Sequence, residues 1–328
     1  MNYSKLIRLR KLHKDIAMTK SYIYNISKLF YRKIHRKERI SSSFSGRNIS
    51  SSEEGNRKIK EAIELGTPFL AGRLGSSEVG AMFAIEAYTK GLSKGIVESY
   101  LDILKTNAGF FLNPQLSSDS QYKKFLDLYT SAIFKADCFF TFQVPLEDYY
   151  IKKYFSGILF EPKGIEPYYF DSPWSAALKG KKVVIVHPFS DTIKRQYDQR
   201  SNLFKNKDIL PNFDLRVVKA AQTLAGSTTA FESWFDALEW MYYQIISEDF
   251  DVAIIGCGAY GLALASMIKS YGKVAIHMGG ATQILFGIKG NRWEKIPAVS
   301  SMFNEHWLRP SLKEKPDDSH KVEESCYW

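Results

Sequence analysis

Short runs that are apolar throughout alternate along this chain with longer stretches in which apolar residues recur every three or four positions. Pro68–Ala71, Asp137–Gln143, Lys181–Val186 and Asp214–Lys219 are runs of the first kind, and their length predicts buried strands. Helical spacing covers Glu53–Leu65, which Gly66 is placed to end, a stretch from Gly80 to about Tyr88, Ser93–Lys105 and Ser118–Lys135. A further helix runs from Asp191 to about Leu203, and another lies near Thr282–Ile288. Thr229 and Glu232 stand in capping-box spacing before Phe231, Trp234, Phe235, Leu238, Met241, Tyr242 and Ile245, an aromatic stripe that reads as core. Pro145–Pro173 is rich in aromatics and turn residues and assigns to no element. Strands alternating with helices predict a doubly wound, mostly parallel Rossmann-like α/β sheet, with ligands at the carboxyl ends of its strands.

The clearest unit is Asp251–Gly280, which reads as strand, glycine turn, amphipathic helix and second strand. Gly256, Gly258 and Gly261 have the G-x-G-x-x-G spacing, which lets backbone N–H groups and a helix start approach a phosphate. The same spacing also serves tight helix–strand packing. A dinucleotide site needs an acidic residue about 20 positions on, and Leu262–Trp293 contains neither Asp nor Glu. A phosphate or nucleotide site passes this test, and a nicotinamide site is weakened by it.

Composition changes the picture in two places. The three cysteines are scattered, with no C-x-x-C pair, which argues against a thiolate metal site and suits a reducing compartment. No run approaches the ~20 apolar residues of a spanning helix, and the amino terminus lacks a secretory pattern, so the reading is cytoplasmic. The net charge of +10 is unevenly placed: residues 1–40 carry twelve Lys or Arg against Asp15 and Glu38, so residues 41–328 are neutral. Leu9, Leu12, Ile16, Ile23, Ile26, Phe30 and Ile34 fall on one helical stripe, with the cations mainly off it. Such a basic amphipathic helix fits an anionic membrane surface, placing the protein at the inner face of the cell membrane, or docks on its own domain. Nucleic acid is not expected as a partner, because no basic patch continues into the body. The organisation is therefore a helical extension (1–40), a serine-rich linker (41–55) and an α/β domain (56–328). The domain has halves at about 56–175 and 176–300 and a tail over 301–328.

Three strand ends meet on one edge of the predicted sheet. The first brings Arg73, Gly75, Ser76, Ser77 and Glu78, the second His187, Ser190 and Asp191, and the third the glycine turn with Tyr260. An Arg beside a helix start suits a diphosphate, because its fork matches phosphate oxygens. Glu78 is placed to hold a divalent metal, to act as general base, or only to face the dipole of its own helix. His187 and Asp191 are four residues apart across a strand-to-helix turn, and a histidine there is structural or catalytic.

Arg73-Leu-Gly-Ser-Ser-Glu78 resembles the R-x-G-D-x-E segment of GT-D type glycosyltransferases, and Gly256–Gly261 with Lys273–Gly279 is similar to that family's second glycine turn and closing strand. The resemblance spans residues 55–290 and is nearest to members among bacterial capsule and surface-polysaccharide proteins, many sharing an ending like Val322–Trp328. It implies a GT-D-like fold and transfer of a sugar from a nucleotide-diphosphate donor to a saccharide, free or lipid-linked. It places donor phosphates at Arg73, Gly75, Ser76, Ser77, Gly256, Gly258, Tyr260, Gly261, His277 and Gly279. The acceptor base would be Glu78, Asp191 or His187, in that order, and Lys182 or Arg195 would add positive charge. The family's Asp is Ser76 here, and His277 and Gly280 stand where Asp and His are usual. Mn²⁺ or Mg²⁺ would thus rest on Glu78 and the donor alone, since Ser brings no charge to a hard cation. Two other classes stay open: a non-catalytic nucleotide- or saccharide-binding regulator, and a nicotinamide-dependent oxidoreductase.

Overall fold

The computed structural model describes residues 42–90, 101–106, 108–223, 229–316 and 327–328. The expected basic helix over 1–40 lies outside the described residues, as do 91–100, which open the helix expected over Ser93–Lys105, and 317–326 of the tail. Residues 101–106 are helical.

A two-residue hairpin, β1 (Ser43–Phe44) and β2 (Arg47–Asn48), precedes the main strands, β3 (Phe69–Gly72), β4 (Cys138–Phe140), β5 (Ile158–Phe160), β6 (Lys182–His187), β7 (Asp214–Lys219), β8 (Val252–Ile255) and β9 (Val274–His277). The helices are α1 (Ser52–Leu65), α2 (Ser76–Thr89), α3 (Ser118–Lys135), α4 (Glu147–Tyr154), α5 (Ser190–Asp198), α6 (Trp234–Ile246), α7 (Tyr260–Ser270) and α8 (Thr282–Leu285). The main strands form one sheet in the order β5-β4-β3-β9-β8-β6-β7, with every pairing parallel. Its strands read as continuous apolar runs because both faces are covered. Val184 and Val186 pack on one face with Val79, Phe125, Trp234 and Leu264. Val183 and Ile185 pack on the other with Ile59, Trp174, Ile193 and Ile284.

Right-handed crossovers then decide where the site lies. The connections from β3, β7 and β8 move one way along the sheet and place α2, α6 and α7 on the first face. The connection from β6 moves the other way and places α5 on the second face, where α8 follows β9. Neighbouring strands β3, β9, β8 and β6 thus send their chains to alternate faces. Crevices open between such ends, and one of them lies between β8 and β6.

Most expected elements are present, and the aromatic stripe of α6 is core. Trp234, Phe235, Leu238, Met241 and Ile245 are buried, while Phe231 and Tyr242 pack at the margin. The expected cap of this helix is displaced. Ser233, not Thr229, accepts the first-turn amide of Asp236, and Thr229 accepts only from Phe231. Ser233 sits directly before the buried run, so packing selects it over the earlier pair. The serine-rich stretch, expected to be a linker, is bonded to the body over its described part. Ser51 and Glu54 form a capping box on α1, Ser50 bridges to Phe160, and Arg47 donates to the carbonyls of Phe155 and Ser156. The unassigned Pro145–Pro173 region holds α4, β5 and two 3₁₀ turns. No described helix is long and apolar enough to cross a membrane.

Candidate functional site

A cavity of about 100 Å³ opens at the crevice between β6 and β8. The end of β6 supplies His187, Pro188 and Phe189, the end of β7 supplies Ala221, Gln222 and Thr223, and the turn after β8 supplies Gly256–Gly258 and Tyr260. Tyr327 and Trp328 close one side.

Each glycine of the turn has its own physical reason. At Gly256 an added Cβ would stand 2.7 Å from the Gly279 carbonyl and 2.8 Å from the His187 ring, so the residue is pinched between β6 and the chain after β9. At Gly261 an added Cβ would overlap the His277 ring. Gly258 differs from both. Its φ of +58° lies in the left-handed region, and nothing stands within 4 Å of where its Cβ would be. Two of the three glycines therefore serve packing, and the third faces open space at the mouth of the cavity.

The turn is held rigidly from below. The Tyr129 hydroxyl donates to the Ala259 carbonyl, and Tyr260 stacks on Trp234 with centroids 4.6 Å apart. Thr223 donates to the Gly109 carbonyl at 2.7 Å, so at 2.9 Å the Tyr260 hydroxyl is the donor to Thr223. Both hydroxyls have spent their protons inside the wall.

Burial pushes His187 down to about 3, so the ring is neutral at pH 7. Its Nδ1 accepts the Phe189 amide at 3.0 Å, which leaves the proton on Nε2. With no spare lone pair, His187 acts as a neutral hydrogen-bond donor rather than a base. Asp191 does not join it. Asp191 is exposed in the first turn of α5, and no hydrogen bond or ion pair holds its carboxylate among the described residues.

The starts of α5, α2 and α7 at this edge differ in their electrostatics. The start of α5 is covered by the buried Glu314, whose carboxylate accepts from the Asp191 amide at 2.7 Å, the Thr192 amide at 3.3 Å and the Thr192 hydroxyl. The start of α2 has Glu78 folded back on it, with the carboxylate occupying the space beside Gly75 that a Cβ would need. An N3 glutamate in that position reproduces half of a capping box. Ser76 is exposed and Ser77 half-buried in the same turn. The start of α7 has no side-chain cap and no acidic residue in its first turn.

Arg73 lies at the next crevice, between β3 and β9. Its guanidinium carbon is 4.6 Å from the centre of the Phe142 ring, and Gly279, at φ +61°, lacks the Cβ that would stand 3.2 Å from Arg73 Nε. Burial and the Arg73 charge together push His277 down to about 3, and its Nδ1 is buried with no partner among the described residues. Burial raises the Glu166 carboxyl, and the same Arg73 charge opposes that rise. Two strands separate β3 from β6, a span of three spacings of ~4.8 Å between the strand ends, but the Arg73 side chain reaches Gly279, whose carbonyl borders Gly256 beside His187.

Several predicted residues fall elsewhere. Lys182 opens β6 at the opposite edge and pairs with Asp249, and Arg195 is exposed on α5. Among the described residues no cluster of three His, Cys, Asp or Glu could hold a metal ion. Ser76 brings no charge, and Glu78 is drawn onto its own helix start, so the donor set does not fit a metal held by the protein alone. Residues missed in the sequence are Phe189, Gln222, Thr223, Glu314, Tyr327 and Trp328. Gln222 and Thr223 follow the predicted strand Asp214–Lys219 directly, and that position was the available signal.

No protein-family model matches the chain, and no curated protein does. One solved structure with similarity is the selenomethionine-substituted structure of domain of unknown function 1792 (DUF1792). It is 10% identical, with 71% of this chain and 79% of that chain covered and a TM-score of 0.36.

Proposed function

We propose that this chain is a glycosyltransferase that takes a sugar from a nucleoside-diphosphate donor to a saccharide hydroxyl. The observation that carries the reading is the start of α7. It is a helix start at the ligand edge with no acidic residue in its first turn, and Gly258 leaves its backbone open to an approaching group. A helix start of this kind attracts phosphate through free N–H groups and its dipole. The resemblance of Arg73–Glu78 and Gly256–Gly261 to GT-D type motifs supports the same assignment.

In the transfer, the bond between the sugar C1 and the β-phosphate oxygen breaks, and its electron pair leaves with the nucleoside diphosphate. A bond from the acceptor oxygen to C1 forms, and the acceptor proton goes to a base. Negative charge grows on the diphosphate, where the turn amides and the Arg73 guanidinium oppose it. Asp191 is the base we assign, since its carboxylate is exposed in the first turn of the helix that follows β6, whereas His187 has no lone pair to offer. No step is routed through a metal. Residues 1–40 would hold the enzyme on an anionic membrane surface, where lipid-linked acceptors lie.

The folded-back Glu78 and the serine at position 76 favour a second reading, a nucleotide-sugar binder without turnover. Thermal melting against a panel of nucleotide sugars, with and without Mn²⁺, tests both readings for binding. A ligand at 100 times its Kd adds about 2.7 kcal/mol. Slow release of free sugar from the stabilising donor, without acceptor, is expected of the transferase and not of the binder. No stabilisation by any nucleotide sugar would refute both.

A further inference from the structure

The cavity at β6 and β8 offers a chemistry that neither a phosphate nor a sugar can use fully. Among the described residues its wall contains no Lys or Arg, and His187 in it is neutral. A phosphate inside would lose its water with no opposing charge. Phe189, Tyr260 and Trp328 bring aromatic rings to the wall. Few polar functions are left to a ligand. The hydroxyls of Thr223 and Tyr260 donate within the wall, and the Gln222 amide nitrogen donates to the Glu314 carbonyl at 3.2 Å. Among the described side chains of the wall, His187 Nε2–H is left as a donor and the Gln222 carbonyl as an acceptor, beside the backbone of the glycine turn at the rim. A sugar ring carries a hydroxyl on most of its carbons and would bury several without partners. A heteroaromatic ring has apolar faces and only a few polar edge atoms. The volume of about 100 Å³ is well under the ~300 Å³ at which pockets begin to hold drug-sized ligands, so one ring system fits and a whole nucleotide sugar does not.

We infer that this cavity is the base subsite of the nucleotide donor, with the base against Phe189 and Trp328 and the diphosphate outside at Gly258. The inference rests on the glycosyltransferase reading and deepens it. It makes the end of the chain a specificity element. Trp328 is buried against Phe189 with ring centres 6.0 Å apart, and its Nε1 donates to the Glu314 carbonyl at 3.4 Å. Glu314 also covers the start of α5, so one residue anchors the aromatic wall and removes the competing anion site beside it.

The test is calorimetric titration of the full chain with uridine, cytidine, adenosine and guanosine diphosphates, and with inorganic pyrophosphate alone. The best nucleotide is expected to bind at least about tenfold more tightly than pyrophosphate, the scale of one base–aromatic stack. Ala221→Phe fills the cavity and should bring that nucleotide down to the affinity of pyrophosphate, with pyrophosphate unchanged. Gln222→Leu keeps the side-chain volume, removes the acceptor and should lower nucleotide affinity selectively even if the filled variant folds poorly. Nucleotides binding no better than pyrophosphate in the wild type would overturn the base subsite alone, as would nucleotide affinities unmoved by both variants. Failure of every nucleotide and of pyrophosphate to bind would overturn the glycosyltransferase reading with it.

Discussion

Gly258→Asn separates ligand binding from folding at the turn more sharply than any other substitution. The residue sits at φ +58° with no atom within 4 Å of the missing Cβ, so a new side chain meets backbone strain but no steric clash. For most residues the left-handed region costs about 1–2 kcal/mol, and Asn is the side chain that visits it most readily after Gly. A stability loss under about 1 kcal/mol is therefore expected. In a chain of 328 residues, at about 2.1 cal/mol/K of unfolding entropy per residue, that is a shift of under about 1.5 °C in Tm. The added amide projects into the mouth of the cavity, where the proposed diphosphate approaches. Displacing one good contact there weakens binding at least about tenfold, or about 1.4 kcal/mol. Gly261→Ala supplies the contrast. Its Cβ overlaps the His277 ring, so the overpacking cost of about 1–3 kcal/mol falls on the fold. Scanning calorimetry beside pyrophosphate titration reads both quantities. If Gly258→Asn binds pyrophosphate as the wild type does, the turn serves packing only and the phosphate assignment fails.

Other perturbations probe the rest of the molecule. Arg73→Ala should abolish transfer, whereas Glu78→Gln should cost about 0.3–1 kcal/mol at the start of α2 and leave turnover within a few-fold. Collapse of turnover in Glu78→Gln at unchanged Tm would return that carboxylate to the chemistry. Glu147 is fully buried, with Oε1 unpartnered among the described residues, and burial raises it from 4.5 to about 8. The folded state keeps that proton longer than the unfolded one, so stability falls as pH rises from 4.5 towards 8, by about 1.4 kcal/mol per unit at most. Glu147→Gln should match the wild type at pH 5 and melt higher at pH 8, and equal melting at both would refute the burial argument. His187 and His277 work in the opposite sense, because both are lowered from 6.5 to about 3 and their contribution is lost as pH falls through that window. His277→Gln should flatten the acid limb of a stability–pH curve. Deleting residues 1–41 should leave Tm unchanged and abolish salt-sensitive co-sedimentation with anionic vesicles. Deleting residues 1–51 should destabilise by at least the ~1 kcal/mol of the Ser51 cap. Vesicle binding that survives the shorter deletion would refute the membrane role of the segment.

The sheet was legible because its signals are local. A fully buried parallel strand is an unbroken apolar run, so Lys182–His187 and Asp214–Lys219 show themselves without reference to partners. The turn of Gly256–Gly261 was legible for the same reason, although its spacing does not separate the two glycines that serve packing from the one that faces open space. That separation depends on His277 and Gly279, which belong to the next strand and the turn after it. Helix caps were less legible: Thr229–Glu232 and Ser233–Asp236 have equal claims as local patterns, and only the burial of Trp234 chooses between them.

The deeper limit concerns carboxylates at helix starts. Glu78, the first choice as base, has the spacing of a catalytic motif and of an N3 cap alike, because both require an acid in the first helical turn. The geometry at Gly75 favours the cap. Glu314 carries the converse lesson. It lies more than 120 positions from the amides it accepts, in a stretch with no motif, yet it decides which helix start at the ligand edge stays open. An anion site in a doubly wound sheet is defined as much by which helix starts the chain has already filled as by which it has left bare. Filling is a long-range contact with no periodic or local trace. Glycine motifs can therefore nominate a phosphate site from sequence, while the choice among nominees waits for the positions of the acids.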